Sequence, residues 1–150
     1  MFFWDKHKTI TCYYESLTKA VCDKFDLTQM EYDILMFLYN NPQYNTAADI
    51  VKVRKSTKSH VSTSLKMLED KGFIKKRISE ENKKRIEITL MDNAQEMIND
   101  GLNVQNKFIE SILSGLSEEE MAVCRSVFAK MCSNAENCLK DLINTKKKGE

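Results

Sequence analysis

Lys75–Arg85 reads KKRISEENKKR, two basic triplets around a short acidic and polar centre. It gathers six of the 23 Lys and Arg residues of a 150-residue chain whose formal net charge is only +1. From Lys52 to Arg85 there are twelve basic and four acidic residues, a net of +8, and the rest of the chain carries −7. A cationic segment in an acidic frame is the electrostatic footprint of a polyanion partner, because each Lys or Arg can neutralise a phosphate and release its counterion. A second group of residues lies just upstream, in STKSHVSTSLK. At 100° per residue, with Val61, Leu65 and Leu68 facing inward, Ser59, Thr63 and Lys66 face outward, with His60, Ser62 and Met67 on their flanks. Small hydroxyls let a helix come close to a surface, and with one imidazole and one ammonium they offer donors and acceptors to base edges. Ser and Thr weaken a helix, so they are poor choices for a face that only meets water.

Other chemistries lack their residues. The chain has no nucleophile elbow, phosphate loop or paired-carboxylate motif, which speaks against an enzyme. Its two histidines, His7 and His60, stand at no ligand spacing from Cys or carboxylate pairs, so neither a metal nor a cofactor is expected. Five cysteines, an odd number with no CxxC pair, read as free thiols of a reducing compartment. The start MFFWDKHK has no h-region, and no run approaches the roughly 18 apolar residues of a membrane span, so the expected place is the cytoplasm.

Several elements must position these groups. Ile10, Tyr14, Leu17 and Val21 form one helical stripe. Thr28 with Glu31 is a capping box opening a helix over Met30, Ile34, Phe37 and Leu38, which Asn40-Asn41-Pro42 stops. Thr46 with Asp49 opens a short helix in AADIVKV, and a longer helix runs from about Thr57 to Lys71, with Gly72 as its left-handed end. The period then changes to two. Ile86, Ile88 and Leu90 alternate with polar residues as a strand with one buried face, FIKKRI is its partner, and SEENK is a loose tip without a tight primed turn. A helix follows to about Leu113, with Gly101 as a weak point, and Ser117 with Glu120 caps another. There Met121, Cys124, Phe128, Met131, Ala135, Cys138 and Leu142 make a heptad seam that suits a dimer.

Two short helices, a short break, a longer helix and a basic hairpin, in that order, make a winged helix-turn-helix. The segments LTQMEYDIL, STKSHVSTSLKMLEDKGFIKK and ENKKRIEITL resemble the multiple-antibiotic-resistance regulator (MarR) family of bacterial transcription factors, over nearly the whole chain. The resemblance implies a mainly α fold with a small β-hairpin: a winged helix-turn-helix over about 28–91, with long dimerisation helices over about 6–25 and 92–145. It further implies a homodimer that represses from a pseudopalindromic site on double-stranded DNA and is released by a small lipophilic or phenolic effector. Carried onto this sequence, the recognition helix would use Thr57, Lys58, Ser59, His60, Ser62, Thr63 and Lys66 in the major groove. The wing would use Lys76, Arg77, Asn82, Lys83, Lys84 and Arg85, reaching the minor groove. Two positions depart from the family pattern. The usual wing Asp-x-Arg reads Asn82 and Lys84, and the usual Leu-Thr with a following Gly reads Leu90-Met91 with Ala94. Some members sense oxidants through an N-terminal cysteine, for which Cys12 is the candidate here. The alternatives are thus a redox-sensing regulator on the same scaffold, or a winged-helix interaction module without DNA binding, which the basic segment disfavours.

Overall fold

The computed structural model describes residues 3–148. Six helices and one hairpin follow in chain order: α1 Phe3–Phe25, α2 Gln29–Asn40, α3 Ala47–Arg54, α4 Lys58–Asp70, β1 Ile74–Ile78, β2 Ile86–Leu90, α5 Gln95–Leu113 and α6 Glu118–Lys148. The expected class, mainly α with one small hairpin, is the one observed. A single 3₁₀ turn, Asp92–Ala94, leads into α5. Contacts divide the chain into two compact units, Met1–Ile109 and Glu110–Glu150. Among the described residues, no helix is long and apolar enough to cross a membrane.

Three helices start where their capping boxes predict. The Thr28 hydroxyl accepts from the Glu31 N–H, and the Glu31 carboxylate accepts from the Thr28 N–H. Thr46 and Asp49 repeat the exchange at α3, and Ser117 and Glu120 repeat it at α6. Each box satisfies two backbone donors that a helix start otherwise leaves open.

The first unit is built around α2. Tyr32, Ile34, Leu35, Met36, Phe37 and Leu38 are all buried, far more than one stripe of a surface helix. Around them gather Val21 and Cys22 of α1, Ile50 of α3, Val61, Leu65 and Leu68 of α4, Ile74 and Ile88 of the hairpin, and Met97 and Ile98 of α5. The α1 stripe is graded: Ile10 is exposed, Tyr14 and Leu17 are half-buried, and Val21 is buried. The stripe reaches the core only from Tyr14 onward, where Tyr13 and Tyr14 meet Phe108 of α5 at ring-centre distances of 5.8 and 5.1 Å.

Two expectations change. Gly101 is a contact point, not a weak point: a Cβ there would stand 2.4 Å from Met36 Sδ and 3.3 Å from the Tyr32 hydroxyl. Its missing side chain is what lets α5 approach α2. Ile86 was expected on the buried face, and it does share that face with Ile88, yet it is 55% exposed because the hairpin outruns the core beneath it.

In the second unit, the α6 seam residues Phe128, Met131 and Leu142 are exposed, together with Val123, Val127, Leu139 and Ile143.

Gly101→Ala should lower the urea midpoint. Overpacking costs about 1–3 kcal/mol, against a helical preference for Ala over Gly of about 1 kcal/mol. The expected net loss is about 1 kcal/mol, and a raised midpoint would mean that Met36 yields freely.

Candidate nucleic-acid interface

The helix α4, expected to be the recognition helix, is seated at both ends. At its start the Thr57 hydroxyl accepts from the His60 N–H at 3.4 Å, so Thr57 serves as the helix cap. The turn from α3 is tight, with Lys55 in the left-handed region at φ 54°. Arg54 at the end of α3 is tied to Asp33 of α2 at 2.8 Å, and Asp33 in turn accepts from Gln29. Past the other end, Lys71 pairs with the buried carboxylate of Glu31 at 2.9 Å and also donates to the Asp26 carbonyl. Gly72 follows at φ 76°, the left-handed stop expected from the sequence.

With both ends held, the faces of α4 sort as the helical period requires. Val61, Ser64, Leu65 and Leu68 are buried. Lys58, Ser59, His60, Ser62, Thr63 and Lys66 are all exposed, so the structure brings the expected recognition residues together on one open surface. Thirteen residues of helix make a rod about 20 Å long. A B-DNA major groove, about 12 Å wide, admits such a rod.

The hairpin is antiparallel, pairing Ile74 with Leu90 through to Ile78 with Ile86. Its loop is not a two-residue turn. The Ser79 N–H donates to the Arg85 carbonyl, the Arg85 N–H to the Asn82 carbonyl, and the Lys84 N–H to Asn82 Oδ1, at 2.8, 2.8 and 3.0 Å. Asn82 thus organises the tip with its own side chain, while Lys83 and Lys84 are exposed there.

The wing cations fall into two kinds. Lys76 is held by Glu69 of α4 at 3.2 Å, and this ammonium holds the Glu69 carboxyl below the usual range. Arg85 donates from Nη2 to Asn45 Oδ1 at 2.9 Å and lies 3.4 Å from Glu87. Lys76 and Arg85 therefore brace the hairpin, whereas Arg77, Lys83 and Lys84 are open. Asn45 itself escaped the sequence reading. Its backbone carbonyl accepts from the Ile88 N–H at 2.8 Å, so it binds β2 through main chain and side chain together. No local pattern marks a loop residue that pairs with a strand forty positions on.

Between α3, α4 and the hairpin lies a groove of about 590 Å³, apolar along Ala48, Val51, Val61, Leu65 and Ile86, with Lys58 and Lys76 also lining it. Cys12 is exposed on α1. Cys22 is buried in the core, where desolvation, then Asp33 and Asp23, push its thiol up.

Residues 25–85 match the family model described as MarR family. The winged-helix segment is thus similar to the MarR family. Over 127 residues the chain is 25% identical to YdgJ of Bacillus subtilis (strain 168), an uncharacterized HTH-type transcriptional regulator, covering 82% of this chain and 77% of that one. Two solved structures share the MarR fold with it. Staphylococcus aureus MepR in a DNA complex is 24% identical with a TM-score of 0.79, covering 89% of this chain and 96% of that chain. A MarR protein from Peptoclostridium difficile is 19% identical with a TM-score of 0.77, covering 89% and 87%. The match over residues 25–85 and the likeness to an HTH-type transcriptional regulator point in the direction of transcription regulation.

Lys71→Met should cost about 2 kcal/mol, because it leaves the Glu31 carboxylate buried without its cation; the figure is set below that of a fully buried pair, since Lys71 reaches solvent. Adding Glu31→Gln should recover part of the loss in denaturant titrations. An unchanged midpoint for Lys71→Met would show that the pair does not seat α4.

Proposed function

We propose that the chain binds duplex DNA as a homodimer, represses from a pseudopalindromic operator, and lets go when a small lipophilic or phenolic ligand binds. The observation that carries the reading is the open polar face of α4 beside the open lysines of the wing tip, inside a segment of net charge +8. The two parts do different work. Ser59, His60, Ser62 and Thr63 offer short donors and acceptors to base edges and supply most of the sequence choice. Lys83 and Lys84 are flexible point charges without the planar fork of Arg, so they supply affinity with little discrimination. The MepR match, solved with DNA, supports the same direction. The groove of about 590 Å³ against α4 supports the ligand step, since it is largely apolar and a guest there would push on both the recognition helix and the wing.

Dimerisation rests on α6. Its exposed Val127, Phe128, Met131 and Leu142 leave a long apolar face, and a second copy of the chain covers it in this reading. The chain should sediment as a dimer at micromolar concentration, and Phe128→Glu with Leu142→Glu should give a folded monomer. A wild-type monomer at that concentration would remove the two-half-site model.

Selection from a random duplex pool, followed by titration of the enriched sequence, tests the DNA reading. Affinity should fall steeply with salt, and Lys84→Ala should reduce the slope of log affinity against log salt by about one per engaged half-site. Failure to enrich any duplex would favour a winged-helix protein-interaction module.

A further inference from the structure

Among the described residues of the first unit, Ile78 and Ile86 are the most exposed large apolar side chains, at 66% and 55%. They are partners across the hairpin, on the face that carries buried Ile74 and Ile88 nearer the core. The Ser79 N–H bonds the Arg85 carbonyl at the next pair outward. In an antiparallel ladder bonded and unbonded pairs alternate, so Ile78 and Ile86 form an unbonded pair, with Cα atoms about 4.5 Å apart. Two branched side chains at that spacing make one continuous apolar ridge.

The ridge lies next to the open cations. Lys84 and Lys83 lie two and three residues before Ile86 in the loop that leads to β2, whereas Arg77, paired with Glu87, is on the opposite face of the hairpin. An aliphatic ridge gains nothing from phosphates, but it is brought against whatever the cations bind. A duplex presents apolar surface in the thymine methyls of the major groove and in the deoxyribose walls of the minor groove; α4 takes the major groove in the reading above, which leaves the minor groove to the hairpin. We infer that Ile78 and Ile86 form the wing's apolar contact with those deoxyribose walls, adding affinity that salt does not screen. The inference rests on the duplex-binding reading above and extends it to two residues that carry no charge or hydrogen-bonding group.

The test is Ile78→Thr with Ile86→Thr, which keeps β-branching and strand preference at two exposed sites. On the selected duplex, the double variant should bind about tenfold more weakly or worse at every salt concentration, with an unchanged salt slope. Lys84→Ala should do the reverse, lowering the slope. Hydroxyl-radical footprinting gives an independent readout: protection of minor-groove sugars under the wing should disappear in the double variant and persist in Lys84→Ala. If the double variant perturbs the hairpin, Ile78→Val with Ile86→Val should show a smaller loss in the same direction. Unchanged affinity and unchanged protection would overturn the ridge while leaving duplex binding intact. A loss accompanied by a lower slope would also overturn it, by showing that the isoleucines only position the lysines. If wild type binds no duplex, the underlying reading fails and the ridge falls with it.

Discussion

The burial of α2 on nearly all sides is the constraint that organises the first unit. A helix whose residues from Tyr32 to Leu38 are almost all apolar has no face to turn to water, so other elements must surround it. The chain supplies α1 and α5 through Val21, Met97 and Ile98, and α3, α4 and the hairpin through Ile50, Leu65 and Ile88. The same closeness fixes Gly101, because no side chain fits where α5 meets Met36 and Tyr32. Burial also pushes the Tyr32 phenol well above its ordinary value, with Tyr14 adding to the effect, so it stays neutral across the physiological range.

Charge is divided by the same architecture. Arg54, Lys71, Lys76 and Arg85 all belong to the basic segment, yet each is tied to a partner within the chain: Asp33, Glu31, Glu69, and Asn45 with Glu87. These ties hold the ends of α4 and the angle of the hairpin. Lys58, Lys66, Arg77, Lys83 and Lys84 point outward instead. One run of positive charge in the sequence therefore contains two populations, one building the surface and the other presented on it.

Local rules were legible in the sequence, and pairings at long range were not. The capping boxes at Thr28, Thr46 and Ser117, the left-handed Gly72, and the sorting of Val61, Leu65 and Leu68 from Ser59 and Thr63 all follow from spacings of three or four residues, and all appear in the structure. The two-residue period gave the hairpin its face but not its depth, since alternation says which side Ile86 lies on and not where the core beneath it ends. Gly101 was misread because a helical pattern assigns a glycine its intrinsic weakness and says nothing of the neighbour it admits. Asn45 and the braced state of Arg85 depend on a contact across forty residues, which no window of local sequence contains.

Asn45 also has a mechanical consequence. It holds β2 through its carbonyl and Arg85 through its side chain, and the residue after it, Thr46, is the cap on which α3 begins. The hairpin and the start of α3 therefore share an anchor, beside the separate tie of Lys76 to Glu69 that holds the hairpin to α4. A shift of the Asn45 backbone therefore acts on the wing and on the cap of α3 together.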